Sequence, residues 1–318
     1  MHPGSQAAFS GFRKLIPFAL QGLVFRRNGS NFFLMDNDSF QTRDHFSAVK
    51  QFIRHFRIED RETSQEHVSR ILRYFAQLPY ENLSKILRLN RDFGSPSYRF
   101  PEVIIDDYKQ YKLGGTCFSL TFFLKTILDY YGYDTHLIMA DMNAGENTHC
   151  ALVLHDRGRQ FLLDPGYLLH RPLELTGDNQ ADLQPNASVL LLQNPEDGRF
   201  SLSTVKNRNR VRRYSFANVP TGFGDFRRHW DQSFHWMTMH GLCLSKRDEN
   251  GFIYLHNQYL RKEGGDLNYK GKFQEEVAEV VHQYFGVPKE LIRSAEQALR
   301  DNLHFDKELG FKVPKWVQ

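Results

Sequence analysis

The residue best suited to covalent chemistry in this sequence is Cys117, which follows the glycine pair Gly114-Gly115 and precedes an apolar pattern at helical spacing. Two glycines allow a tight turn into a helix, so we expect Cys117 at or near a helix N-terminus. The partial positive charge and free N–H groups there lower the pKa of a thiol and favour the nucleophilic thiolate. The same N–H groups are suited to hold the oxyanion of a tetrahedral intermediate. This context predicts a nucleophile rather than the buried apolar cysteine that is the commoner use of the residue.

A thiolate nucleophile needs an imidazole, and the imidazole needs an acceptor that fixes its tautomer. His149 and Asp164 flank a turn at residues 156–159. A two-residue loop at Arg157-Gly158, or a four-residue loop over the whole turn, pairs His149 with Gly166. Asp164 then lies on the same face of the hairpin, diagonal to His149 at about 7–8 Å, which the two side chains can bridge. The spacing therefore predicts a Cys117–His149–Asp164 triad.

The other two cysteines, Cys150 and Cys243, are interpreted as core residues, since Cys150 points to the face opposite its neighbour His149. The three cysteines contain no C-x-x-C pair, so neither a disulfide framework nor a structural zinc site is indicated. We expect no metal, and a reducing cytoplasm fits this usage best.

The elements that position these residues follow from the apolar pattern. Helical spacing between about residues 44 and 89, broken by Pro79, predicts a helical subdomain, and a further helical face follows Cys117. Short alternating segments then predict a mostly antiparallel sheet or small barrel over residues 135 to about 216, and mixed elements follow. The expected strands are 135–140, 148–154, 160–164, 188–193, 200–205, 211–216, 241–245 and 252–256, and the expected late helices are 272–285 and 289–302.

Composition narrows the class of protein. A net charge of +4 over 318 residues, with both signs mixed along the chain, argues against a dedicated nucleic-acid binder. No run approaches the roughly 18 apolar residues that a membrane span needs. Residues 1–45 are interpreted as an extension of unknown role, either a poorly packed terminal segment or short surface helix, or a membrane-surface anchor.

Several motifs, taken in order, resemble the arylamine N-acetyltransferases, and the likeness extends from about residue 48 to 290. Pro79-Tyr80-Glu81-Asn82 is similar to that family's P-F-E-N element, and Gly114-Gly115-Thr116-Cys117 to its R-G-G-x-C element. His149 matches its catalytic histidine. The later matches are Asp164-Pro165-Gly166-Tyr167 with the family's D-x-G-F, then Arg171 to Leu175, Asp197-Gly198 with Leu202, Arg213 to Phe216, and Phe285-Gly286-Val287.

The resemblance implies an α+β fold in which a helical bundle, an antiparallel β-barrel and an α/β lid surround a papain-like or transglutaminase-like cysteine catalytic core. This fold divides the chain into four parts. Residues 1–45 are the extension, 46–131 a helical subdomain that carries the nucleophile, 132–216 a β-barrel that carries the histidine and aspartate, and 217–318 a lid.

The resemblance also implies ping-pong chemistry, in which acetyl-coenzyme A, a co-substrate, acylates Cys117 and an arylamine, hydrazine or similar amine takes the acyl group. His149 accepts and returns protons, and Asp164 orients it. The expected binding residues are Gly166 and Tyr167 for the coenzyme, and Tyr80 and Phe118 for the substrate.

A basic pattern supplies further coenzyme candidates. Lys206, Arg208, Arg210 and Arg212 alternate at strand spacing and share one face if a strand runs through them. That face is either a charged surface that keeps an exposed strand from aggregating, or a contact for the coenzyme phosphates through Arg208 and Arg210.

The sequence departs from the family pattern at several positions. Leu113 stands where the family has arginine, Ser119 and Thr121 replace a glutamate and an asparagine, and Leu168 replaces a glycine that lets the cofactor approach. No clear S-P-x-S segment occurs near Ser233, where the family contacts the coenzyme. We therefore expect acetyl-coenzyme A to bind more weakly than to a typical member.

Three other functions are compatible with the same residues: an amide-forming acyltransferase with a longer acyl donor, a cysteine hydrolase that passes the acyl group to water, and a binding module with an idle site.

Overall fold

The structure is a computed structural model of the chain. It describes residues 40–317 apart from 59–64, 93–96, 177–179, 185–186, 194–195, 207–208, 249–250 and 265–267, and it describes the backbone alone for the strands between 180 and 193. Residues Phe40–Gln318 pack as one unit. Most of the extension expected at 1–45 lies outside the described residues, and the boundaries expected at 131 and 216 stay predictions.

Helices make up most of the first part of this unit, as the spacing of apolar residues predicts. In α2, Val68, Ile71, Leu72 and Phe75 form one buried stripe at the i, i+3, i+4, i+7 positions. The sequence analysis did not predict α4, whose first residue is Pro101. The helices here are α1 Phe46–Phe56, α2 Gln65–Phe75, α3 Leu83–Arg91, α4 Pro101–Tyr111 and α5 Cys117–Tyr130.

Helix α5 begins at Cys117, which confirms the predicted position of this residue at a helix N-terminus. Its N-cap, Thr116, is extended and makes no side-chain cap hydrogen bond, so the N–H groups of the first turn are not satisfied by a cap side chain. Nearly all of α5 is buried, including Phe122 and Phe123. A helix apolar on all sides is a core helix, and its burial fixes where the thiol lies.

The predicted antiparallel sheet is present between residues 134 and 216. Among the described residues it contains eight strands in the order β5-β4-β3-β2-β9-β8-β7-β6, and every pairing is antiparallel. Each predicted strand of this region is found, although with shifted ends, and β5 and β6 are additional. The strands are β2 Asp134–Met142, β3 Gly145–Asp156, β4 Arg159–Leu163, β5 Leu173–Glu174, β6 Gln180–Gln184, β7 Ala187–Gln193, β8 Phe200–Lys206 and β9 Asn209–Phe216.

The hairpin of β3 and β4 has the predicted register. Asp156 pairs with Arg159, so the loop is the two-residue one at Arg157-Gly158. Both loop residues have positive φ, 50° and 77°, the geometry of a tight hairpin turn. The register pairs Leu152 with Leu163, one residue before Asp164.

The condition for a single basic face from Lys206 to Arg212, one strand that runs through all four residues, is not met. Lys206 pairs with Asn209, so Lys206 belongs to β8, whereas Arg210 and Arg212 belong to β9. Arg208 lies outside the described residues. An alternating pattern alone cannot distinguish a continuous strand from a two-residue hairpin turn.

The remaining elements form a second antiparallel sheet with helices beside it in sequence. Its order is β1-β10-β11-β12-β13. The helix predicted from Lys272 is partly wrong, because Tyr269–Lys272 pairs with β12 as a strand and the helix begins at Val277. The elements are β1 Tyr80–Glu81, α6 Phe223–Gln232, β10 Cys243–Asp248, β11 Gly251–His256, β12 Tyr259–Glu263, β13 Tyr269–Lys272, α7 Val277–Phe285 and α8 Lys289–Glu308.

No helix in the described ranges is long and apolar enough to cross a membrane.

Candidate active site

The turn that leads into Cys117 is fixed by backbone bonds to β1. Gly115 N donates to Pro79 O at 3.2 Å, and Glu81 N donates to Gly115 O at 2.9 Å. A Cβ on Gly114 would lie 1.9 Å from Pro79 O, so this approach requires glycine. The Pro79 to Asn82 element and the glycine pair, distant in sequence, thus form one structure that holds the start of α5.

The structure brings His149 and Asp164 together at the end of the β3–β4 hairpin. His149 Nε2 lies 2.9 Å from Asp164 Oδ2, and both residues are buried. Tyr214 OH donates to the same oxygen at 2.6 Å, and the N–H of Tyr167 donates to Oδ1 at 3.0 Å. Asp164 takes Nε2, which leaves Nδ1 of the imidazole for the thiol.

Gly166 lies at the meeting point of all three predicted triad residues. A Cβ at this position would lie 2.9 Å from His149 Cε1, 3.1 Å from Cys117 Cβ and 3.3 Å from Asp164 Oδ1. The three side chains therefore surround one backbone position.

The electrostatics favour a charged pair at rest. A hydrogen bond from Cys150, and then the bond and charge of His149, hold the pKa of Cys117 well below its usual value against the opposing effect of burial. Burial lowers the pKa of His149, but the charge and hydrogen bond of Asp164 outweigh it and raise that pKa to about 10. Both shifts favour a thiolate on Cys117 beside an imidazolium on His149.

Cys150 is buried, as predicted, but it also contacts functional groups. Its Sγ lies 3.6 Å from Thr121 Oγ1, one turn after Cys117 on α5. Burial, and then its hydrogen bond to Cys117, raise the pKa of the Cys150 thiol, so it stays protonated as a donor. The interpretation of Cys150 as core alone was incomplete, because its side chain faces α5 rather than a purely apolar layer.

A buried ion pair supports the glycine turn. Arg99 Nη1 donates to Glu81 Oε1 at 2.9 Å and to Gly114 O at 2.7 Å, and Arg99 Nη2 donates to Asp107 at 2.7 Å. Leu113, which replaces the family's arginine, is an apolar core residue. A guanidinium nevertheless reaches the turn, from residue 99.

The two predicted substrate residues belong to different elements, Tyr80 to β1 and Phe118 to α5. Tyr80 belongs to β1 and pairs with Ser245, and burial, followed by the charge of Cys117, raises its pKa. Phe118, next to Cys117, is 1% exposed and stacks on Trp230 at a centroid distance of 6.2 Å.

The two coenzyme candidates after Asp164 lie against the triad itself. The Tyr167 ring packs edge-on against His149 at 5.3 Å. The next residue, Leu168, has a left-handed backbone (φ 54°) and is 1% exposed. The glycine that the family has here suits that conformation, which gives a backbone reason for the family preference besides access for the cofactor.

Arg210 and Ser233, the other positions considered for coenzyme contact, differ in exposure. Arg210 is exposed and its Nε donates to Ser203 Oγ at 3.1 Å. Ser233 is 2% exposed and donates to Trp230 O at 2.5 Å. Within the described residues no group of three or more His, Cys, Asp or Glu side chains could hold a metal ion.

Sequence reasoning missed Tyr214, Arg99 and Lys85 at this site. Tyr214 reaches Asp164 across 50 residues of sequence and Arg99 reaches Glu81 across 18. The one available signal was a charge between apolar helical positions at Lys85, on α3, since a charge there must find a partner.

The sequence matches a known protein family. A family model described as N-acetyltransferase matches residues 66–292. A comparison with curated proteins gives no match.

Solved structures of arylamine N-acetyltransferases have the same fold. The enzyme from Mycobacterium abscessus aligns with a TM-score of 0.69 and 16% identity, over 83% of this chain and 99% of that chain. The Salmonella typhimurium enzyme aligns with a TM-score of 0.65 and 17% identity, over 79% of this chain and 98% of that chain. The Bacillus cereus enzyme aligns with a TM-score of 0.59 and 19% identity, over 76% of this chain and 98% of that chain. That enzyme is described as having a unique Cys-His-Glu catalytic triad. At these identities the likeness concerns the fold, which is a mixed α and β fold with antiparallel sheets.

Proposed function

This chain belongs to the arylamine N-acetyltransferase family as a divergent member, and from that premise we propose that it moves an acetyl group from acetyl-coenzyme A, through a thioester on Cys117, to an arylamine, hydrazine or similar amine. The observation that carries the proposal is the arrangement of Cys117, His149 and Asp164 around Gly166.

In the first half-reaction the Cys117 thiolate attacks the thioester carbonyl. The negative charge that develops on the carbonyl oxygen is stabilised by the uncapped N–H groups at the start of α5. When the intermediate collapses, the C–S bond to the coenzyme breaks, and the departing sulfur takes the proton from the His149 imidazolium.

In the second half-reaction the amine attacks the Cys117 thioester and His149, now neutral, accepts the amine proton. The C–N bond forms, the bond to Cys117 Sγ breaks, and the thiolate and imidazolium are restored. Asp164 stabilises the positive charge on His149 throughout, and Tyr214 keeps the carboxylate in place.

Binding roles complete the proposal. Gly166, Tyr167 and the basic residues Arg208 and Arg210 are assigned to the coenzyme, and Tyr80 and Phe118 to the acceptor side. We further propose that the elements form a helical bundle, a β-barrel and a lid around a papain-like core, divided at residues 131 and 216, and that the enzyme works in the cytoplasm, where its free thiols stay reduced.

Transfer kinetics test this function. The purified chain is mixed with acetyl-coenzyme A and a panel of anilines and arylhydrazines, and the free coenzyme thiol and N-acetyl product are both measured. We expect parallel double-reciprocal plots, the signature of a ping-pong mechanism, and no product from Cys117→Ala with unchanged circular dichroism.

Three results would contradict the proposal. Turnover by folded Cys117→Ala at the wild-type rate would remove the covalent step. Thiol release without N-acetyl product, whatever the amine, would instead identify a hydrolase; acylation by small esters but by no coenzyme A thioester would indicate a different donor.

A further inference from the structure

Lys85 is a buried lysine beside the site that the reaction described above does not use. It lies on α3 and is 6% exposed. Its Nζ donates to Ser233 Oγ at 2.5 Å and lies 4.3 Å from the centroid of the Phe234 ring. Both partners are neutral, so neither compensates a full positive charge.

Lys85 differs in this respect from the other buried ionic side chains of the described residues. Those have partners of opposite charge or histidine partners, whereas the described part of the chain provides no carboxylate within ion-pair distance of Lys85 Nζ. The paired examples are Arg99 with Glu81, His149 with Asp164, Asp306 with His235, and Glu263 with Arg261. A buried ammonium is costly unless an anion lies near it.

Contacts place Lys85 near the start of α5, because its partner Ser233 donates to Trp230 O and the Trp230 ring stacks on Phe118, the residue after Cys117. Burial lowers the pKa of Lys85 to about 7, and negative charge on Cys117 and on Cys150 partly restores it. The effect is mutual, because the charge of Lys85 is among the causes that lower the pKa of Cys117, after Cys150 and His149. Cys150 stays protonated, so Cys117 is the anion that remains.

We propose that Lys85, on α3, is a counter-ion of the Cys117 thiolate and acts as a positioning residue. The proposal rests on the proposed function, because the preformed thiolate is what acylation consumes. Acylation removes the negative charge, so the acyl-enzyme leaves Lys85 without its counter-ion and favours return to the thiolate state. The residue thereby helps the second half-reaction as well as the first.

Alkylation of Cys117 by iodoacetamide tests this directly, since the reagent is neutral and reports the thiolate fraction. The rate is measured against pH in the wild type, Lys85→Met, Lys85→Arg and the surface control Lys109→Met, with the modified cysteine identified by peptide mass spectrometry. We expect Lys85→Met to shift the midpoint of the alkylation rate against pH to higher pH, and to slow alkylation at low pH by about three- to tenfold. Lys85→Arg should recover part of this loss, and Lys109→Met should match the wild type.

A purely structural lysine would behave differently. Folded Lys85→Met with the wild-type midpoint would overturn the proposal. A reciprocal measurement covers the case in which that variant does not fold: in Cys117→Ala, which retains Lys85, the Nζ titration followed by NMR should move to lower pH. An unchanged titration would also overturn it.

These outcomes are separable from failure of the proposed function. Alkylation needs no acyl donor, so a shifted midpoint in a chain that transfers no acetyl group would retain the counter-ion and reject the acetyltransferase. Normal acetyl transfer with an unshifted midpoint of alkylation would retain the acetyltransferase and reject the counter-ion.

Discussion

Asp164 is the residue on which the candidate site depends most. It is completely buried and receives hydrogen bonds from His149, Tyr214 and the backbone of Tyr167. A buried carboxylate with three donors stays in one orientation, and it fixes which nitrogen of His149 carries a proton.

We expect Asp164→Asn to lower kcat/KM for acetyl transfer by about a hundredfold or more. An amide cannot stabilise the imidazolium, and the equivalent change in a serine-protease triad costs about 10⁴ in rate. Tyr214→Phe, the matched variant, removes one donor and keeps the charge, so it should lower the rate by about tenfold at most. If both variants lost activity equally while folded, the charge of Asp164 would not be the reason.

The close placement of Cys117, His149 and Asp164 could be predicted from the sequence because each residue has a local signal. Cys117 follows a glycine turn, and one hairpin relates His149 to Asp164. Tyr214 has no such signal, and the charge at Lys85 indicates only that a partner must exist, since the partners of both residues are set by packing between elements distant in sequence.

At the scale of elements, the loop after β4 must pass close to α5. Gly166→Ala should therefore reduce kcat/KM by about a hundredfold, because the added methyl group must displace His149 or Cys117, and small misplacements at a catalytic site cost that much. Gly224→Ala is the control: nothing lies within 4 Å of a Cβ there, and an alanine in α6 should stabilise the fold by roughly 0.5–1 kcal/mol without changing activity. Equal activity of the two variants would contradict the close approach.

The link between β1 and the glycine turn depends on the buried pair of Arg99 and Glu81. Arg99→Met should reduce the free energy of unfolding by about 3–5 kcal/mol, because it leaves a buried carboxylate without its cation. Urea denaturation measures this, and adding Glu81→Gln in the double variant should recover part of the loss. Strict additivity of the two changes would mean that the pair does not interact.

Elements that follow from a local sequence pattern were predicted well, whereas elements that depend on pairing with a distant strand were not. The β3–β4 register follows from Arg157-Gly158, and α2 from its apolar stripe. By contrast, Tyr269–Lys272 is a strand only because β12 lies beside it, and Lys206 and Asn209 pair between β8 and β9, which an alternating pattern does not reveal.

At the scale of the whole molecule, Lys85 makes stability depend on pH in a defined direction. Its pKa is about 7 in the folded chain and about 10.4 when unfolded. Between these values the unfolded state binds more protons, so this contribution to the free energy of unfolding rises with pH. Below about pH 7 both states are protonated and the cost of the buried charge is constant.

Lys85→Met should accordingly be more stable than the wild type at and below about pH 7, by an advantage that shrinks toward pH 10. Urea denaturation of both proteins at several pH values measures the difference. A constant difference across that range would show that the ammonium is not deprotonated on folding.

The central claim, that Cys117 carries the acyl group, is tested most directly by intact-protein mass spectrometry after brief exposure to acetyl-coenzyme A without an acceptor. The account predicts a mass increase of one acetyl group, located on the peptide of Cys117, absent in Cys117→Ala and discharged when an arylamine is added. An acetyl group found on another residue, or one on Cys117 that no amine discharges, would contradict it.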